Sequence, residues 1–264
     1  MYELMLITND VTEAKMWDAA GVDLLFVDLE INGKMERQGH LNTVISKHTM
    51  SDVTSVSEAI NRSKLLVRIN PYDEQHSVDE IDEVIERGAD VIMLPMFTSA
   101  DHVQAVQDII KGRCELYPLI ETPDALADID RLATITGISG YHFGLNDMHL
   151  ALKLKFMFQV MLLPEFEYAT QLLRQNQIMF GIGGVARVGT GTLPAEVIIR
   201  EHYRLGASRA ILSRSFKDEC SMDNASQEVE LIRNTYKDAN NINLDDNLER
   251  FKNSIESIIK NAGN

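Results

Sequence analysis

Arg87-Gly88-Ala89-Asp90-Val91-Ile92-Met93-Leu94-Pro95 is the stretch on which the fold turns. A helix end meets a glycine, then a small and a polar residue, then a run of apolar side chains. Glycine supplies the left-handed backbone that stops a helix. A continuous apolar run suits a strand whose sheet is covered by helices. Three more segments share this grammar: Ala20-Gly21-Val22-Asp23 before LLFVDLE (24–30), Thr136-Gly137-Ile138-Ser139 before GYHFGLND (140–147), and Leu205-Gly206-Ala207-Ser208 before RAILSRS (209–215). Helical patterns lie between them. Ser77 to Arg87 gathers Val78, Ile81, Val84 and Ile85 on one face, and Asp101 to Lys111 gathers Val103, Val106, Ile109 and Ile110. Thr122-Pro123 is an N-cap and first-turn pair opening a helix with Leu126, Ile129 and Leu132.

The same pattern along the chain gives strands at Glu3–Ile7, Asp23–Glu30, Leu65–Asn70, Val91–Pro95, Glu115–Glu121, Gly140–Asn146, Met179–Gly183 and Arg209–Arg214. Eight strands alternating with helices predict an α/β fold, a (β/α)8 TIM barrel over residues 1–216. A doubly wound open sheet is the alternative, but its G-x-G-x-x-G after the first strand is replaced by Asn9-Asp10. Residues 217–264 read as a helical extension. Its last helix carries Leu248, Phe251, Ile255 and Ile258 at 3-4-3 spacing, a seam that packs on its own barrel or on a neighbouring protomer. Leu154–Leu163 (LKFMFQVMLL) is too apolar for a surface loop and reads as a buried helix or an interface.

Composition narrows the partners. Of the 264 residues 45% are hydrophobic, and 40 Asp+Glu against 25 Lys+Arg leave a formal charge of -15. That balance argues against nucleic acid, which draws on basic residues, and the apolar content argues against disorder. No apolar run approaches the roughly 18 residues of a membrane span, and MYELMLITND lacks the pattern of a signal peptide. Cys114 and Cys220, without metal-type spacing, point to a reducing compartment and a cytoplasmic protein.

A barrel collects its chemistry at the C-terminal ends of its strands. Those ends read Val27-Asp28-Leu29-Glu30, Val67-Arg68-Ile69-Asn70, Leu119-Ile120-Glu121-Thr122, Gly144-Leu145-Asn146-Asp147, Gly181-Ile182-Gly183-Gly184 and Ser213-Arg214-Ser215. Charge directly after an apolar strand is costly unless paired or metal-bound. Glu121 and Asp147 form the best pair for a hard divalent cation such as Mg²⁺. Arg68 offers a planar fork for a carboxylate or enolate oxygen. Asp28 and Glu30 would hold waters or orient a base. Gly183 falls among the substrate-binding positions. The stretch GIGGVARVGTG (181–191) reads either as a hinge or lid or as a phosphate nest assisted by Arg187 or Arg214.

Five motifs in order, VDLE (27–30), VRIN (67–70), GADVIMLPM (88–96), IET (120–122) and GLNDM (144–148), resemble the HpcH/HpaI aldolase family, the pyruvate-dependent class II aldolases and their citrate lyase β-subunit relatives. The resemblance runs from about Asp23 to Phe216. It implies a divalent-metal-dependent carbon–carbon lyase acting on a 2-oxo acid through a metal-bound enolate. Glu121 and Asp147 would hold the metal, Arg68 the pyruvate-like oxygens, and the backbone of Leu145, Asn146 and Asp147 the carboxylate. It also implies a homo-oligomer, built from dimers into trimers or hexamers, in which the last barrel helix is exchanged between protomers. One departure stands out. The aldolase branch continues its second-strand motif as Asp-Gly-Glu-His, with the histidine as acid/base, and here Ile31 follows Glu30. His40 and His48 lie in the following loop, and His40 is the candidate replacement; His149, just past Asp147, is within reach. Citrate-lyase-type members also lack that histidine. A CoA-ester lyase or thioesterase, and a non-catalytic barrel that has lost its base, therefore stand as alternatives.

Overall fold

Eight parallel strands close on themselves in chain order: β1 (Glu3–Ile7), β2 (Leu24–Asp28), β3 (Lys64–Arg68), β4 (Val91–Leu94), β5 (Glu115–Ile120), β6 (Tyr141–Phe143), β7 (Phe180–Val185) and β8 (Arg209–Leu212), with β8 pairing back onto β1. The computed structural model describes residues 2–31 and 47–262. The expected (β/α)8 barrel is thus the observed fold. The strand ends differ in an informative way. β2 and β3 end two residues earlier than the apolar pattern runs, although the Leu29 N–H still donates to Arg68 O at 2.9 Å and the Ile69 N–H to Met93 O at 3.2 Å. β6 is only three residues long, because Gly144 caps the helix Leu145–Ala151 and takes Asn146 and Asp147 into its first turn.

The four glycines that end the repeated segments, Gly21, Gly88, Gly137 and Gly206, all have positive φ. Gly88 is the most constrained of them. Its φ is +100°, and an added Cβ would sit 2.2 Å from Ser57 Oγ, so a larger residue would be both strained and crowded.

Strand residues alternate between two cores, as a period of two requires. Leu4, Leu6, Leu25, Val27, Leu65, Val67, Ile92 and Leu94 face the helical coat. Met5, Leu24, Phe26, Leu66, Val91, Met93, Tyr117 and Leu119 fill the barrel. At the N-terminal mouth the interior turns ionic. The Arg209 guanidinium pairs with Glu3 at 2.5 Å and lies 4.0 Å from the centre of the Tyr117 ring, and Lys64 pairs with Glu115.

The segments that did not fit a plain barrel are packed. Met157–Leu162 is a 3₁₀ helix burying Phe158, Val160 and Met161, and Phe158 meets Phe251 edge-on at 6.5 Å. The helix Leu244–Ala262 lies across Ala195–Leu205, with Asn247, Phe251 and Ile255 buried and Leu248 and Ile258 half-buried beside them. The helix Ala225–Asp238 is tied to the barrel base: Tyr236 stacks on Tyr2 at 4.1 Å, and Arg233 Nη2 donates to Gly21 O and pairs with Asp23, both at 2.7 Å. Among the described residues no helix is long and apolar enough to cross a membrane.

Candidate active site

Asp28 and Arg68 close β2 and β3 as register partners, so their side chains emerge side by side on the inner face. Arg68 binds Asp28 through both arms of its fork, Nε to Oδ1 at 2.8 Å and Nη2 to Oδ2 at 2.7 Å. Glu30 approaches Arg68 Nε at 3.4 Å, and the guanidinium carbon lies 5.6 Å from the Phe26 ring centre. All three charged groups are largely withdrawn from water, at 14%, 4% and 3% side-chain exposure for Arg68, Asp28 and Glu30. Burial alone would weaken the Arg68 cation. The carboxylates of Asp28, Glu30 and Glu121 outweigh it and raise the Arg68 pKa. The result is a fixed, permanently charged fork.

Glu121 follows β5, and only 3% of it is exposed. Its Oε1 accepts the Met96 N–H at 3.0 Å. Met96 is held at φ +52°, an unusual backbone for a non-glycine residue and one that aims this N–H at the carboxyl. Across from it, a Cβ on Gly144 would lie 2.7 Å from Glu121 Cβ and 2.9 Å from Oε2, so the glycine makes room for the acid. Burial pushes the Glu121 pKa up to about 8; Arg68 opposes the rise, and the nearby charges of Asp147 and Glu30 add to it. Asp147 stands in the first turn of the Leu145–Ala151 helix, and Asn146 beside it is half-buried. The Leu145 side chain is in the outer core, which leaves its backbone to face the rim.

The structure therefore brings together Asp28, Glu30, Arg68 and Glu121, with Asp147 in electrostatic range. His40 lies outside the described residues. His149 is two positions beyond Asp147, on a different face of the helix. Arg187 is paired with Glu228 at 2.7 Å, and Arg214 is exposed at the start of its helix.

Three residues visible in the sequence have contacts there that it did not give. His48 Nδ1 accepts the Asp28 N–H at 3.0 Å, so a neutral His48 carries its proton on Nε2. Its signal was the following Thr49-to-Asp52 capping box, which starts a helix at the rim. Asn70 ties the rim together, donating its amide to Glu80 Oε1 at 2.7 Å while its Oδ1 accepts the Ile31 N–H at 3.1 Å. His142 is buried inside the barrel below Gly144.

Among the described residues no group of three or more His, Cys, Asp or Glu side chains is assembled around one metal position. The chemistry of the pair still fits a hard cation. Two carboxylates that repel one another, one of them keeping its proton near neutrality, supply oxygen ligands whose repulsion a divalent ion would relieve.

Residues 6–182 match the family model HpcH/HpaI aldolase/citrate lyase. A (3S)-malyl-CoA thioesterase of Cereibacter sphaeroides is 27% identical over 134 residues, 51% of this chain and 45% of that relative, so the match spans about half the relative's length. Among solved structures, an HpcH/HpaI aldolase/citrate lyase family protein from Burkholderia cenocepacia superposes with a TM-score of 0.64 at 15% identity, covering 87% of this chain and 95% of that one. The HpcH/HpaI aldolase of Desulfitobacterium hafniense gives 0.58 at 15% identity, covering 88% and 93%. At such identities these two structures speak for the fold.

Proposed function

This chain belongs to the HpcH/HpaI aldolase/citrate lyase family, and from that premise we propose that it is a carbon–carbon lyase acting on a 2-oxo acid through an enolate. The observation that carries the reading is the buried Glu121 carboxyl, its pKa raised by burial, in electrostatic range of Asp147 and of the Arg68 fork that Asp28 and Glu30 hold in place. Glu121 and Asp147 would hold Mg²⁺ or Mn²⁺. A cation bound there supplies Lewis-acid stabilisation of the charge on the enolate oxygen.

The chain's own residues account for the remaining work. Arg68 is preorganised, so it meets developing negative charge without first rearranging. The backbone at Leu145, Asn146 and Asp147 opens a helix and receives the substrate carboxylate. In the cleavage direction a base takes the proton of the hydroxyl on the carbon that becomes the carbonyl. The carbon–carbon bond breaks, its electron pair passes into the enolate, and a proton delivered to carbon completes the 2-oxo acid. That proton traffic falls to the loop after β2, where His48 sits against the Asp28 backbone and His40 follows Ile31 in the chain.

The test is exchange of the methyl protons of pyruvate for deuterium, followed by NMR with Mg²⁺ or Mn²⁺ present. Exchange that disappears with EDTA and in Arg68→Lys is expected. Absence of exchange with pyruvate and with longer 2-oxo acids would overturn the reading. The match to a (3S)-malyl-CoA thioesterase favours a second one, cleavage or hydrolysis of a hydroxyacyl-CoA. A panel of 3-hydroxyacyl-CoA thioesters separates the two, because only the second requires turnover of a thioester.

A further inference from the structure

β6 alternates Tyr141, His142, Phe143. Tyr141 and Phe143 belong to the outer core, and Phe143 packs on Phe166 and Phe180 at 4.7 and 5.8 Å. His142 therefore points into the barrel. It is fully buried, and among the described residues neither Nδ1 nor Nε2 has a hydrogen-bond partner. Burial first, then the charges of Arg209 and Arg68 and coupling to His202, lower its pKa to about 3, so the ring is neutral and one nitrogen is a donor, the other an acceptor.

The facing strand explains how the ring fits. Gly181 is the register partner of His142, and a Cβ there would lie 2.3 Å from Nδ1, so the imidazole occupies that side chain's place. Two residues further toward the rim the situation changes. A Cβ on Gly183 would lie 3.5 Å from His142 Nε2 and 3.7 Å from the Phe143 carbonyl, ordinary contact distances. Gly183 is also not among the glycines with positive φ. A gap of about methyl size thus lies between Nε2 and β7. Directly above His142 on the same strand face comes Gly144, whose side-chain position is taken by the Glu121 carboxyl. The imidazole thus lies two residues before Gly144 along the chain, with its Nε2 toward Gly183 and without a hydrogen-bond partner among the described residues. A buried nitrogen left unpaired is destabilising, and an apolar side chain would fill the same space without that cost.

We propose that His142 is the floor of the ligand site: Nε2 makes a hydrogen bond, directly or through one water, to an oxygen of the bound oxo acid in the gap beside Gly183. The inference rests on the oxo-acid reading above and names the positioning residue and the glycine that give the site its depth. His142 orients the ligand and carries no proton in the reaction. The gap admits an oxygen or a water and excludes a methyl-sized branch once the ligand is seated, so it also limits substitution at the ligand's inner end.

The experiment compares wild type, His142→Phe, His142→Gln and Gly183→Ala, using oxalate with Mg²⁺ as the probe. Calorimetry reads affinity, thermal unfolding reads Tm, and ¹⁵N NMR of histidine-labelled protein reads the imidazole. Phe should keep or raise Tm and weaken oxalate about tenfold, the worth of one hydrogen bond. Gln, with an amide near the Nε2 position, should recover most of the affinity. Ala at 183 should fold normally and weaken oxalate similarly by filling the gap. The His142 Nε2 resonance, assigned from its loss in His142→Gln, should move on oxalate binding. Wild-type affinity in both His142→Phe and Gly183→Ala, or an unmoved Nε2 signal at saturation, would overturn the proposal while leaving the oxo-acid reading intact. Failure of wild type itself to bind oxalate and pyruvate with Mg²⁺ or Mn²⁺ would overturn both.

Discussion

Replacing Glu121 by Gln should change how stability depends on pH, by an amount the structure sets. The carboxyl moves from an ordinary value of 4.5 to about 8 on folding, mainly through burial. A group whose pKa is raised in the folded state binds its proton more tightly there than in the unfolded chain. Its contribution is therefore complete below 4.5 and is lost as pH climbs through about 8. Within that window the loss runs at about 1.4 kcal/mol per pH unit. Integrated from pH 6.0 to 8.5, the metal-free protein should lose about 2.5 kcal/mol of unfolding free energy that Glu121→Gln does not lose. Gln keeps the shape and an oxygen for the Met96 N–H, so the comparison isolates the charge. Urea unfolding in EDTA at both pH values is the assay, read as the difference of differences so that every other titrating group cancels. Mg²⁺ should then stabilise wild type more at pH 8.5 than at pH 6.0, because its ligand must be ionised. Parallel pH dependence in the two proteins would refute the buried-acid account, and no Mg²⁺ effect on wild type at either pH would refute the cation pair.

Three further outcomes are expected. Arg68→Lys should lower kcat/KM by about 100-fold, because an ammonium cannot copy the two-armed contact with Asp28 and ligand oxygens; steady-state kinetics with the substrate found by the exchange assay checks it. Arg209→Met should destabilise by roughly 2–3 kcal/mol, since it strips Glu3 and Tyr117 of their partner at the base, yet leave oxalate affinity unchanged at the opposite mouth; urea unfolding and calorimetry separate the two effects. His202→Gln should flatten the acid limb. Burial lowers the His202 pKa to about 3, so its contribution is complete above the unfolded value near 6.5 and is lost toward pH 3, and the flattening should approach about 1.4 kcal/mol per pH unit between pH 6 and 4 in unfolding titrations.

The barrel was legible because its signals are local. A glycine after each helix and an apolar run after each glycine are short-range facts, and Gly21, Gly88, Gly137 and Gly206 all adopt the left-handed backbone they announced. The rim acids and Arg68 were legible for a related reason, since charge directly following a buried strand has few structural explanations. What stayed hidden depends on neighbours remote in sequence. Whether Asp28 meets Arg68 through one arm or two is a matter of register between β2 and β3. His142 reads as one polar residue within a strand, and only the interior face of β7, with glycines at 181 and 183, turns it into a floor. His48 was visible as a loop histidine, but its place against Asp28 depends on where the next helix begins.

The two ends of the barrel handle charge in opposite ways, and the contrast bears on which end binds ligand. At the N-terminal mouth Glu3 and Glu115 are matched by Arg209 and Lys64, each acid with its base. Each of these acids thus has a cation of the chain's own beside it. At the C-terminal rim Asp28 and Glu30 pair with Arg68, and burial, with the nearby charges of Asp147 and Glu30, raises the Glu121 pKa to about 8, so this acid holds a proton at neutral pH. A stable protein has no reason of its own to hold that proton in a buried pocket, where an amide or an alkyl group would fit. In the proposed reading a cation would displace the proton from Glu121 and leave the rim able to accept an anionic oxo acid. On that reading, proton release on Mg²⁺ addition at pH 7 is the direct signature. In an unbuffered titration wild type should release close to one proton per cation bound and Glu121→Gln none. Equal release from both would place the cation elsewhere.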